Sequence, residues 1–158
     1  MRNGDFYVGN FFENDFEGQG KYVYSVNDAL QRASYEGSWK NGKKHGYGTF
    51  IWKNGVTYEG QYVDDERIGY GSMSFPANDP FNRFKYVGNW NKGQINGHGT
   101  LIYTNGDKYE GDFLSGAIRG NGTFYFSDGR KYVGQMLKGK SHGRGIMYYN
   151  SKTPAELR

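Results

Sequence analysis

Apolar and polar residues alternate in short runs along this chain, and no segment holds a helical period. Lys108-Tyr109-Glu110-Gly111-Asp112-Phe113-Leu114 reads as a strand, Ser115-Gly116 as a turn, and Gly122-Thr123-Phe124-Tyr125-Phe126 as a return strand. Asp128-Gly129 then turns the chain back, and Asn54-Gly55 and Asn105-Gly106 do the same elsewhere. Such dipeptides favour two-residue hairpin turns in which both residues take positive φ. Alternation puts Tyr35, Gly37 and Trp39 on one face, with Gly46, Gly48, Phe50 and Trp52 of the return strand. Tyr86, Gly88 and Trp90 pair in the same way with Gly97, Gly99, Leu101 and Tyr103. One face therefore interleaves rings with glycines. The other carries Glu36, Ser38, Glu59, Gln61, Glu110 and Asp112 and reads as solvated.

The pattern is periodic. Tyr-x-Gly recurs at Tyr7, Tyr35, Tyr58, Tyr86, Tyr109 and Tyr132. The step is 23 residues, except for 28 from Tyr7 to Tyr35 and from Tyr58 to Tyr86. Eleven residues after each tyrosine a Gly-x-Gly begins, at Gly18, Gly46, Gly69, Gly97, Gly120 and Gly143. A tandem array of hairpins follows. The expected fold is all-β: an elongated, twisted, single-layer antiparallel sheet of six tandem hairpins, open and solenoid-like, with an aromatic–glycine groove. About twelve strands at roughly 4.8 Å spacing reach on the order of 60 Å. Rings of one repeat are expected to lie over the bare glycine backbone of the next. The array is placed at residues 1–151, with longer loops at 25–34 and 76–85 and a tail or linker at 152–158.

Composition sharpens this. Only 35% of residues are hydrophobic, yet 18% are aromatic and 26 are glycine. An unfolded chain would lack those rings. There is no cysteine, so disulfide staples and thiolate metal sites drop out and a cytosolic setting is favoured. No apolar run is long enough to span a bilayer, and Met1-Arg2-Asn3-Gly4-Asp5 does not resemble a signal peptide. The net charge of +4 permits acidic partners without demanding them.

Tyr35 to Gly55 and Tyr109 to Gly129 follow Tyr-Glu-Gly-x-Trp/Phe-x-x-Gly-x-x-x-Gly-x-Gly-Thr and a closing glycine almost throughout. This pattern resembles the MORN (membrane occupation and recognition nexus) repeat, from Tyr7 to about Ser151. Asn14 and Asp65 stand where the pattern has its turn glycine, and Met136 where it has an aromatic. The resemblance implies a non-enzymatic scaffold or adaptor in a cytoskeletal, ciliary or membrane-junction assembly. It further implies a partner segment in the aromatic groove or, in some members, phosphoinositides.

The candidate sites follow from these readings. A protein partner, as a peptide or helix, is expected in a groove lined by Tyr35, Trp39, Trp52, Tyr58, Tyr62, Tyr86, Trp90, Tyr103, Tyr109 and Phe113. The two long steps share Asn-Asp-x-apolar-x-Arg, at Asn27–Arg32 and Asn78–Arg83. These are either extended turns, with the acid bonding its own backbone and the apolar residue tucked down, or contact loops offering Leu30, Arg32, Phe81 and Arg83. Lys85, Lys108 and Lys131 recur at the repeat period, and Lys138 and Lys140 add charge near a turn. They form either a solvated face or a surface for anionic phospholipid. His45, His98 and His142 sit at turns and suggest no metal site, and no cofactor or nucleic acid is expected. Neither end shows a cap, so an edge- or end-associated homodimer is expected.

Overall fold

The structure, a computed structural model, describes residues 4–150. The expected tail at 152–158 lies outside the described residues. The fold is all-β, with twelve antiparallel strands and no helix among the described residues. They pair as six hairpins: β1 (Phe6–Phe12) with β2 (Asp15–Val23), β3 (Arg32–Lys40) with β4 (Lys43–Trp52), β5 (Thr57–Val63) with β6 (Glu66–Ser74), β7 (Arg83–Asn91) with β8 (Gln94–Tyr103), β9 (Lys108–Leu114) with β10 (Ala117–Tyr125), and β11 (Lys131–Leu137) with β12 (Lys140–Tyr148). Sheet order follows chain order. Two compact units result. The first holds β1 to β6 with Trp90–Gly93, and the second holds the rest of β7 with β8 to β12.

Register explains the period. In the first unit Gly20 faces Gly37 and Tyr22 faces Tyr35; in the second, Gly122 faces Gly134 and Phe124 faces Tyr132. Within each hairpin the two glycine backbones approach so closely that a Cβ on Gly37 would fall 2.5 Å from the Gly48 Cα. The repeat tyrosine lies flat on this gap. A Cβ on Gly48 would meet Cε2 and Cζ of Tyr35 at 2.5 Å, and one on Gly122 would meet the same atoms of Tyr109 at 2.5 Å. The ring therefore covers the glycines of its own hairpin, which corrects the expectation that it covers the next repeat's.

The two glycines of Gly-x-Gly have different jobs. The second lies under the ring. The first sits in a bulge, where the ladder skips between Gly37 and Trp39, and Gly46 takes a φ of 90° that a side chain rarely adopts. Where the ladder skips, the tyrosine hydroxyl donates to the carbonyl of the residue three on. Tyr35 reaches Ser38 O at 2.9 Å and Tyr109 reaches Asp112 O at 3.1 Å, and the other four repeat tyrosines do the same. A phenylalanine would cover the glycines but leave that carbonyl without its donor.

The side chain four residues after each tyrosine joins one hairpin to the one before. Trp39 packs edge-on to Tyr7 at 5.5 Å and to Phe16 at 5.2 Å, and its indole N–H donates to Gly20 O at 3.1 Å. Trp39, Tyr62, Trp90, Phe113 and Met136 all hold this place and are all buried. Met136 shows that the seat needs an apolar side chain, not a ring. Each aromatic pair adds about 0.5–1.5 kcal/mol to its area burial.

Turn chemistry differs from the sequence expectation. The two-residue turns with two positive φ angles lie inside the hairpins: Asn41-Gly42 takes 49° and 73°, and Asp64-Asp65 takes 47° and 72°. Asn14 and Asp65 thus adopt the conformation of the glycine they replace. At Asn54-Gly55 only Gly55 is left-handed; Trp52 N–H donates to Val56 O at 2.9 Å and closes a three-residue loop. Asn105-Gly106 and Asp128-Gly129 close in the same way, through Tyr103 N–H to Asp107 O and Phe126 N–H to Arg130 O.

Candidate functional site

The groove residues fall into two groups. Tyr35, Tyr58, Tyr86 and Tyr109 are 0% exposed, and Trp39, Tyr62, Trp90 and Phe113 are at most 6% exposed. Those eight side chains are the core of the hairpins and offer a partner almost no surface, because each is consumed in covering glycine or the neighbouring ring. Trp52 and Tyr103 remain half-exposed.

The layer above the repeat tyrosines is set nine residues after each of them. In the first unit these positions hold Phe16, Lys44 and Arg67. Phe16 stacks on Tyr7 at 3.9 Å. Lys44 Nζ lies 5.8 Å from the Tyr35 ring centre and pairs with Asp65 at 2.7 Å. The Arg67 guanidinium lies 4.8 Å from the Trp90 ring centre and 5.5 Å from those of Trp52 and Tyr58, and Nη2 donates to Gly93 O at 2.6 Å. Burial lowers the pKa of Arg67 from its ordinary value, and the rings supply the compensating attraction. Burial also raises Tyr62 well above the usual phenol range.

In the second unit the same positions hold Ile95, Ile118 and Ser141, and Ile118 is 5% exposed. Here the groove is a cleft of about 430 Å³ walled by Leu101, Tyr103, Phe113 and Ile118, with Phe81, Arg83 and Lys138 at its margin. The column Phe, Lys, Arg, Ile, Ile, Ser shows no shared chemistry, so the sequence did not single out Arg67 or Ile118.

The two long loops have the same construction. Asp28 accepts the Arg32 backbone N–H at 2.9 Å and the guanidinium Nη2 at 2.6 Å; Asp79 accepts those of Arg83 at 2.9 and 2.7 Å. The Arg32 side-chain hydrogen bonds hold the Asp28 pKa down at about 2, and Arg83 lowers Asp79 by the same means. The arginines are engaged within the loops, Arg32 over Tyr24 at 4.2 Å and Arg83 over Phe81 at 5.0 Å. Leu30 and Phe81 are not tucked down, each being 68% exposed. Elements of both sequence readings are present: the acid holds its own backbone, and the apolar tip faces outward. Asp5, absent from that reading, anchors the first loop by accepting Ser25 N–H at 2.6 Å and the Tyr22 hydroxyl at 2.8 Å. Burial and Asp5 push Tyr22 up to about 12.

The lysines do not form one patch. Lys108 Nζ is 2.7 Å from Glu110, and Lys131 Nζ lies 4.7 Å from the Tyr148 ring centre. Lys138 and Lys140 are exposed at the opposite end of the β11–β12 hairpin, and Lys85 is half-exposed at the start of β7. His45 lies 3.6 Å from Asp64 and His98 3.9 Å from Asp112, on separate hairpins.

These features define a tandem-hairpin repeat module in which tyrosine covers glycine and an apolar side chain staples neighbours. The MORN repeat model matches the chain at residues 7–29, 35–57, 58–79, 86–108, 109–129 and 132–153, well over half its length, and the chain belongs to the MORN repeat family. That repeat is a non-catalytic module. Alsin from Rattus norvegicus and Alsin from Homo sapiens are each 30% identical over 87 residues, 55% of this chain and 5% of Alsin. The ALS2 C-terminal-like protein of Homo sapiens is 29% identical over 86 residues, 53% of this chain and 9% of that protein. The matched part is thus a small fraction of each relative.

Proposed function

We propose that this chain is a non-enzymatic scaffold or adaptor module that binds a protein partner, in a cytoskeletal, ciliary or membrane-junction assembly. The observation that carries the reading is the cleft of the second unit. Tyr103 is its half-exposed apolar wall, Leu101 and Ile118 form a buried floor at 8% and 5% exposure, and the Phe81 ring stands beside it, 68% exposed on a loop held by the Asp79–Arg83 pair. An apolar cleft flanked by a fixed, exposed ring suits a peptide or helix with apolar anchors. In the first unit Leu30 is displayed in the same way.

Site-specific photocrosslinking tests this. A photoreactive phenylalanine at Phe81 should capture a partner that the same group at Glu59, on the solvated face, does not, and Tyr103→Ala should abolish the capture. Equal capture from both positions would dismiss the cleft.

The second reading, a peripheral module for anionic phospholipid, draws on exposed Lys138 and Lys140 with half-exposed Lys85. The engagement of Lys108 with Glu110 weakens it. Sedimentation with phosphoinositide vesicles that falls as salt rises, and is lost in Lys138→Glu/Lys140→Glu, would support it; absent or salt-insensitive sedimentation would remove it.

A further inference from the structure

The staple residue of the first repeat and the seat of the last repeat are both uncovered among the described residues, and they complement each other. Phe11 occupies the staple position of β1. It is 55% exposed, whereas the five later staples are at most 6% exposed. At the other end, Tyr132, Met136, Ser141 and Met147 line a cavity of about 110 Å³. By repeat position these four correspond to Tyr7, Phe11, Phe16 and Tyr22. Tyr7, Phe16 and Tyr22 are the rings against which Trp39 packs, at 5.5, 5.2 and 6.2 Å. Tyr132, Ser141 and Met147 thus hold the positions that seat Trp39, and Phe124, Phe126 and Gly139 complete the cavity lining.

The solvated face of the same two strands departs from the other repeats in a matching way. The position one before the repeat tyrosine is Ser34, Thr57, Lys85, Lys108 and Lys131 in later repeats, but Phe6 in β1. The position one after the second glycine of Gly-x-Gly is Lys21, Thr49, Ser72, Thr100 and Thr123 in earlier repeats, but Ile146 in β12. Phe6 is 50% exposed, Val8 65%, Ile146 58% and Tyr148 46%. Edge strands are ordinarily blunted by charge or proline. Here β1 and the Tyr148 end of β12 carry apolar side chains on their solvated faces.

We propose that two copies of this chain join head to tail, β1 of one copy adding antiparallel to the outer edge of β12 of another. The register is fixed by the repeat-to-repeat joints already formed. Gly122 facing Gly134 and Phe124 facing Tyr132 become Gly145 facing Gly9 and Met147 facing Tyr7. Val8 then opposes Ile146, Phe6 opposes Tyr148, and Phe11 enters the cavity. Each internal joint also carries a turn bond: Gly42 N–H to Phe16 O, Asp65 to Lys44, Gly93 to Arg67, Gly116 to Ile95 and Gly139 to Ile118, at 2.8 to 3.3 Å. Asn14 N–H to Ser141 O continues the series. Such a contact is heterologous, because the two surfaces differ, and it adds copies instead of stopping at a symmetric pair.

Light scattering and sedimentation velocity on the whole chain test this. Wild type should gain mass with concentration beyond a dimer. A head-blocked variant, Phe6→Lys/Phe11→Lys, and a tail-blocked variant, Ile146→Lys/Tyr148→Lys, should each stay monomeric with unchanged circular dichroism. All four positions are exposed, so folding should survive. Mixed in equal amounts, the two variants should form a dimer and go no further, since one retains the head and the other the tail. Single Phe11→Lys should weaken association about tenfold or more, and Phe11→Tyr should preserve it. A wild type that is monomeric to its solubility limit overturns the proposal. So does association that survives in either blocked variant alone, or a mixture that stays monomeric.

Discussion

The two units use one backbone plan and finish it with different chemistry. In the first, the rings are overlaid by Phe16, Lys44 and Arg67 and stapled by Trp39, Tyr62 and Trp90. In the second, Ile95, Ile118 and Ser141 take the overlying positions, and Phe113 and Met136 are the staples. The glycine–tyrosine layer beneath tolerates no such variation, since in both units a Cβ on the second glycine of Gly-x-Gly would fall 2.1 to 2.7 Å from the tyrosine. The repeat thus separates a fixed layer that makes the fold from a variable layer that makes the surface. A cationic–aromatic surface and an aliphatic one sit on the same scaffold.

Removing a staple should distinguish the units most. Trp39→Ala leaves Phe16 and Tyr22 unpacked and Gly20 O without its indole donor, and should cost about 3–5 kcal/mol. Met136→Ala, at the equivalent place in the second unit, should cost nearer 2 kcal/mol. Urea denaturation reads both, and equal losses would show that the indole contributes no more than an alkyl chain.

The fixed layer predicts the reverse, equality between units. Gly48→Ala and Gly122→Ala both drive a methyl into the tyrosine above and should each lose about 1–3 kcal/mol. Gly116→Ala, with nothing within 4 Å of its added carbon, should lose only the left-handed backbone penalty of about 1 kcal/mol.

Arg67→Leu converts one position of the first unit to the chemistry of the second. It should change stability by about 1 kcal/mol, the scale of the cation–ring contacts it gives up. A loss as large as that of Trp39→Ala would mean that Arg67 belongs to the fixed layer.

The smallest effect is local and common to both units. The Asp28 carboxyl titrates at about 2, below the ordinary value near 4, because it is bonded to Arg32. A depressed folded-state pKa contributes stability above the unfolded value and loses it as pH falls through the folded one. The first long loop should therefore stay closed to about pH 4 and open between about pH 4 and 2, seen as faster exchange of the Arg32 amide. Asp79, also lowered, should open the Arg83 loop in the same direction. Asp28→Asn should remove the transition in the first loop only.

Much of this was legible because a repeat displays its constraints at a fixed spacing. The Tyr-x-Gly and Gly-x-Gly columns identified the hairpins, the buried face and the family, since few residues can lie flat over bare backbone. The paired Asn-Asp-x-apolar-x-Arg loops were also visible, because the same acid must reach the same backbone amide. Arg67 and Ile118 were not, since their column holds no common residue type and its meaning depends on the ring below. The burial of the groove side chains is not legible for a related reason. Alternation says which face a tyrosine occupies, not whether the next hairpin's staple closes over it, and Tyr35 at 0% exposure is covered from that side.

The sequence alone determined the hairpins, their period and the face on which rings and glycines interleave, because these are short-range demands repeated every 23 or 28 residues. Only the tertiary structure decided which aromatic side chains are core and which are surface, that the loop arginines are held internally, and that Phe11 and its matching seat are uncovered among the described residues. Those outcomes depend on contacts between hairpins, where a neighbour four residues past the next tyrosine either arrives or does not.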